Sequence, residues 1–208
     1  MNIDSQAISV QPVLMGKRAD EKAEARERII VAASKLIRER GIAGLKVADV
    51  MADAGLTHGA FYAHFDNKEV LVEAAFHAAL DHREAWFKSA EKQPRTERLN
   101  HLAESYLSKR HRDAPDKGCA FAALARDFAQ AGGPLPGVFE AELNVSLKRL
   151  TTLLEDGAAD SQQAMGLLSL CVGGMVLARA VDDPALSDNL LKAAARFGAL
   201  NAPKNHNE

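Results

Sequence analysis

Apolar residues recur along the chain every three or four positions, and nowhere do they alternate over the length of a strand. That pattern predicts helices throughout. A first helix is expected from about Asp20 to Arg40. Ile29, Ala33 and Leu36 form its apolar stripe, Ile30 and Ile37 lie beside it, and Gly41 stops it. A second, short helix should run near Lys46 to Ala54 and end at Gly55. Leu56-Thr57 then opens a third, with Thr57 capping free backbone N–H groups and Leu56 stapled to Phe61. Asp66 and Glu69 have capping-box spacing, and Phe65 and Val70 stand at staple positions, so a fourth helix should begin near Asn67. Its stripe is Leu71, Ala74, Ala75 and Ala78, and its far end, Asp81 to Lys92, becomes charged like a connector.

Beyond Gln93-Pro94, helices are expected at about 96–112, 118–131, 135–156, 161–181 and 184–199. They are separated by Pro115, by Gly132-Gly133-Pro134, by Gly157 and by Asp182-Asp183-Pro184, where Asp183 caps and Pro184 takes the first helical position. The fold class is all-α: an N-terminal three-helix helix-turn-helix unit followed by a C-terminal helical bundle. The expected divisions are a flexible arm 1–18, the helix-turn-helix domain 19–66, a connecting helix 67–92, a second helical domain 93–201 and a flexible tail 202–208.

Composition narrows the function. With 47% apolar residues the chain can bury a core without staples. The net charge of −2 means that any surface for nucleic acid is a local patch. Cys119 and Cys171 form no CxxC or Cys/His cluster, which argues against a disulfide framework or a structural zinc site and suits a reducing cytoplasm. No cofactor or metal is expected, and the start of the chain has no signal-peptide pattern. The uncharged run Ser161–Ala178 opens with Gln162 and Gln163 and is closed by Arg179, which fits a core or interface helix rather than a membrane span.

The segment 56–68 carries the most chemistry. Phe61 and Phe65 are four apart and anchor inward, leaving Thr57, His58, Gly59, Tyr62 and His64 to face out with hydrogen-bonding groups and one place of close backbone approach. Lys68 follows on a helical first turn, a place suited to holding a phosphate. A second helix presented in this way reads the major groove of double-stranded DNA. Lys17, Arg18, Lys22 and Arg26 form either a basic arm for DNA or a solvated face interleaved with acids.

The run Gly55-Leu56-Thr57-His58-Gly59-Ala60-Phe61-Tyr62-Ala63-His64-Phe65-Asp66-Asn67-Lys68 resembles the recognition segment of the tetracycline-repressor (TetR) family. The likeness extends over about residues 24–76 and weakens beyond, where Lys117-Gly118-Cys119-Ala120 and 177–186 resemble a C-terminal domain of one group of these regulators. The resemblance implies phosphate contacts from Thr57, Tyr62 and Lys68, with Lys46 a further candidate, and base-edge contacts near His58, Gly59 and His64. Leu45 and Lys46 stand where the family often has Thr or Ser, so helix two lacks its usual hydroxyl cap.

It implies further that 93–201 is a ligand-binding and dimerisation domain, and that the protein is a homodimeric repressor that a small molecule or an electrophile releases from a palindromic operator. The near-uniformly apolar helix 161–181, with Gly166, Gly173 and Gly174, and the stripe Leu186, Leu190, Leu191 and Ala194 suit a four-helix dimer interface, or else an internal core. Cys119, after Lys117-Gly118 at a helix start, is either a reactive sensor thiol or a small packed residue, and Cys171 is core. Arg126, Asp127 and Arg179 either meet a ligand or form interhelical ion pairs. The competing readings are a dimeric interaction protein without DNA binding and a helical-bundle enzyme, for which no catalytic constellation is present.

Overall fold

The computed structural model describes residues 11–154 and 161–200, and every regular element among them is helical. In chain order these are α1 (Gln11–Gly44), α2 (Val47–Asp53), a 3₁₀ turn (His58–Ala63), α3 (Lys68–Leu80), α4 (His82–Glu91) and α5 (Arg95–Tyr106). There follow α6 (Lys109–Arg112), a 3₁₀ turn (Pro115–Lys117), α7 (Ala120–Gln130), α8 (Leu135–Leu154), α9 (Ser161–Ala180) and α10 (Pro184–Leu200).

The helix α1 begins at Gln11, ahead of the expected Asp20, so residues 11–18 of the expected arm are helical. The strong helix formers from Ala19 to Arg28 nucleate it, and each residue added upstream then needs little further stabilisation. Residues 1–10, the tail 202–208 and the break at Gly157 lie outside the described residues. Gly41 interrupts α1 as its position foretells, with φ 71° and ψ 177°.

The expected third helix is instead a 3₁₀ turn, closed by Ala60 N–H to Thr57 O and His64 N–H to Phe61 O. A six-residue span gains few α-helical bonds, and Gly59 weakens them further. The Thr57 side chain makes no capping bond there. The cap of α3 falls one residue later than the spacing suggests: Asn67, not Asp66, has the extended backbone of an N-cap, and its Oδ1 accepts from Val70 N–H at 3.0 Å. The expected connector 67–92 is two helices, but Asp81 between them keeps helical angles (φ −58°, ψ −31°), so the interruption is a loosened turn. The cap of α10 is as read, with Asp183 Oδ1 accepting from Ala185 N–H at 2.9 Å.

The stripe of α1 is buried as expected, and Leu71 and Ala75 of α3 pack on the same cluster. The opposite side of α3 is buried too. Phe76 stands 4.4 Å from Phe128, 5.7 Å from Phe139 and 6.0 Å from Phe121, ring centre to ring centre. One apolar cluster therefore runs from α1, α2 and the 3₁₀ turn through α3 into α7. A second joins α4, α5, α8, α9 and Leu191, and Cys119, Leu143 and Val172 touch both.

By length and composition α9 is apolar enough to cross a membrane. Here Ala164, Leu167, Leu168, Cys171, Met175 and Ala178 are buried against neighbouring helices. The opposite face exposes Met165, Gly166, Ser169, Gly173, Val176, Leu177 and Ala180, without one charge. Only Gly174 of the three glycines allows close approach inside the subunit, a Cβ there lying 2.9 Å from Leu107 and 3.1 Å from Ala194. Gly166 and Gly173 face open space.

Candidate nucleic-acid interface and the cavity behind it

Gly55, at φ 70°, ends α2 with Leu56 N–H donating to Met51 O at 2.8 Å, a left-handed helix stop that suits glycine. The chain then turns so that Phe61 and Phe65 are buried, their rings stacked 5.9 Å apart. Arg26 lies over the Phe65 ring at 4.7 Å and fastens the turn to α1.

With the aromatics inside, Thr57, His58, Gly59 and Tyr62 stand exposed along one short turn, Tyr62 to 73%. A Cβ on Gly59 would meet nothing within 4 Å, so the protein's own packing does not require glycine there. Lys46 is exposed at the N-cap of α2 and makes no side-chain cap, as its replacement of a hydroxyl implies.

Two candidates are placed differently. His64 is half-buried, with Nδ1 enclosed and without a hydrogen-bond partner. Burial first, then Lys22 and Arg26, hold its pKa below the ordinary histidine value, which favours a neutral ring. Lys68 is half-buried too, and its Nζ donates to Ile42 O at 2.8 Å. The other side of the same residue is also gripped: Ile42 N–H donates to Asp127 Oδ1 on α7 at 3.2 Å. Asp127 thus caps the break in α1 and makes no ion pair among the described residues.

Local spacing gave no sign of Arg38. It leaves α1 to donate to Ala79 O at 3.3 Å and Gly118 O at 3.5 Å, joining three segments. Burial lowers its pKa, while Asp116, Cys119 and Glu39 oppose the shift. Arg179 likewise serves backbone, donating to His111 O at 2.7 Å and Arg112 O at 3.2 Å.

Beside these contacts lies a partly open cavity of about 540 Å³ between α4, α5, α6 and the start of α7. Leu80, Trp86, Phe87, Tyr106, Phe121 and Leu168 supply its apolar wall. Cys119, at the N-cap of α7 and half-buried, lies in that wall. Its N–H donates to His111 Nε2 at 2.9 Å, and His111 Nδ1 meets Tyr106 O at 2.8 Å. The imidazole is therefore neutral with its proton on Nδ1. Burial lowers the His111 pKa, the Tyr106 carbonyl opposes this, and Arg179 adds to it. Burial, followed by the Cys119 thiol, raises the Tyr106 phenol well above its ordinary value. Cys171 is fully buried, and burial pushes its thiol up as well.

Residues 29–75 match the family of bacterial regulatory proteins described as tetR. The HTH-type transcriptional regulator TtgR of Pseudomonas putida is 43% identical over 72 residues, which is 33% of this chain and 34% of TtgR. The chain thus matches about a third of the length of TtgR, and between 18% and 34% of other curated relatives. A TetR transcriptional regulator from Chloroflexus aurantiacus superposes with a TM-score of 0.73 at 22% identity, over 87% of this chain and 95% of that one. FadR of Bacillus subtilis, solved with stearoyl-CoA, does so with 0.58 at 19%, over 81% and 97%.

Proposed function

From the premise that a chain with a tetR-type N-terminal domain on that family's fold is a TetR-family transcriptional regulator, we propose a homodimeric repressor that binds a near-palindromic operator in the cytoplasm. The observation that carries this is the exposed row Thr57, His58, Gly59 and Tyr62 on a turn pinned from beneath by Phe61 and Phe65. Their hydrogen-bonding groups reach base edges and phosphates, and the open face of Gly59 lets the backbone approach closely. Lys46 and Lys68 add phosphate contacts, Lys68 with the donors that Ile42 leaves it. His64, half-enclosed, sets the edge of the reading surface.

Two such turns, about one helical turn of DNA apart, give the affinity that one lacks. The uncharged outer face of α9, with Leu186 exposed on α10, is the surface that a second copy covers. The cavity behind α3 is the effector site, in keeping with FadR's complex with stearoyl-CoA. Cys119 in its wall offers a second route of release, by an electrophile.

Fluorescence anisotropy with DNA from upstream of the protein's own gene tests the reading. Binding should resist non-specific competitor and weaken steeply with salt. Absence of selective binding, both there and in a genome-wide DNA selection, would overturn it.

A further inference from the structure

Four consecutive basic residues form α6, Lys109-Arg110-His111-Arg112, and the fold uses three of them. Lys109 pairs with Asp188 at 2.6 Å, Arg112 with Asp188 at 2.8 Å and with Asp113 at 2.7 Å, and His111 is held by Tyr106 and Cys119. Arg110 makes no ion pair or hydrogen bond among the described residues, and it lines the cavity. Lys117, on the next turn, is exposed, equally unclaimed, and lines it too. By contrast Arg83, on the α4 side, is neutralised by Glu142 and donates to Ser146 Oγ at 3.0 Å.

Among the described residues no aspartate or glutamate lines the cavity. A cationic guest would find no counter-charge there, whereas an anionic one meets two free cations at the rim and an apolar wall behind them. We infer that the cavity receives an organic anion: an aromatic or aliphatic body against Trp86, Phe87 and Phe121, with one carboxylate directed to Arg110 and Lys117. This rests on the reading of the cavity as the effector site and names the chemical class of the effector.

Trp86 is the chain's single tryptophan, and its indole N–H is fixed on Leu102 O at 3.2 Å and Ser105 Oγ at 3.1 Å. Its fluorescence therefore reports occupancy of this cavity without any DNA present. The experiment titrates the full-length protein with 4-phenylbutyrate and with the uncharged isostere 4-phenylbutyramide. The acid should give a saturable change in Trp86 emission with a Kd about tenfold below that of the amide. The double substitution Arg110→Ala and Lys117→Ala should bring the acid to the level of the amide while leaving the amide and the thermal midpoint unchanged. Equal affinity for the two probes, no saturable signal from the acid at millimolar concentration, or an unaffected acid in the double variant would each overturn the inference. DNA anisotropy on the same preparations keeps the two readings apart. Protein that prefers the acid yet binds no DNA retains the effector class and loses the repressor.

Discussion

The turn at 57–64 and the segment at 106–119 are both short, polar-rich and interrupted by 3₁₀ geometry, yet they hold their side chains in opposite ways. In the first, the anchors are two buried phenylalanines, and most of the polar groups are left to solvent. In the second, the Tyr106 carbonyl, His111, the Cys119 N–H and the Arg179 guanidinium are bound to one another. Groups left unbound inside the protein are available to a partner outside it, whereas a hydrogen-bonded network fixes the shape of what it surrounds.

Several substitutions sharpen or break this contrast, in descending order of expected effect. Phe76→Ala removes a ring buried against Phe121, Phe128 and Phe139 and should destabilise the protein by about 3–5 kcal/mol in urea unfolding. A loss below about 1 kcal/mol would show that this aromatic cluster adds little to the core.

Tyr62→Ala should weaken operator binding by about 1–3 kcal/mol and leave the unfolding midpoint in place, since an exposed ring adds little to the fold. An equal loss in both measurements would mean that the turn is structural. Gly59→Ala should do likewise through close approach alone: the thermal midpoint stays, because nothing in the protein opposes the new methyl group, and DNA affinity falls. Unchanged DNA affinity in that variant would remove the backbone of Gly59 from the interface.

The smallest effect is one of pH. The folded His111 has a pKa below its ordinary 6.5, so the unfolded chain takes up the proton more readily. Stability is fully present above about pH 6.5 and declines as pH falls toward the depressed folded value. The half-buried His64 shifts in the same direction, so only part of the slope belongs to His111. Urea unfolding at a series of pH values should show a shallower decline in His111→Gln. An unaltered slope would remove the imidazole from the network.

The contrast also explains what the sequence revealed. The exposed turn was legible because its parts are local: Gly55, Phe61 and Phe65 lie within eleven residues and fix which neighbours point outward. The same spacing argument shifted the α3 cap by one residue and mistook a 3₁₀ turn for an α-helix, since both choices depend on single hydrogen bonds. Local spacing could not show that His64 turns inward or that Lys68 is already engaged, because the groups around them come from α1. Arg38, Asp127 and Arg179 were illegible for the same reason: each serves a backbone group far away in the chain. Cys119 was placed correctly at a helix start, but its neighbours Tyr106 and His111 come from other elements.

The break in α1 has an evolutionary consequence. Any side chain at Gly41 would have to adopt a left-handed backbone, and its first carbon would lie 2.8 Å from the carboxylate of Asp127. The two positions, one in α1 and one in α7, therefore form a single unit of inheritance. A lineage that replaces Gly41 must also displace the Asp127 carboxylate, and with it the bond by which α7 holds the Ile42 N–H. Chains in which only one of the pair has changed should be rare among descendants that still fold as this one does.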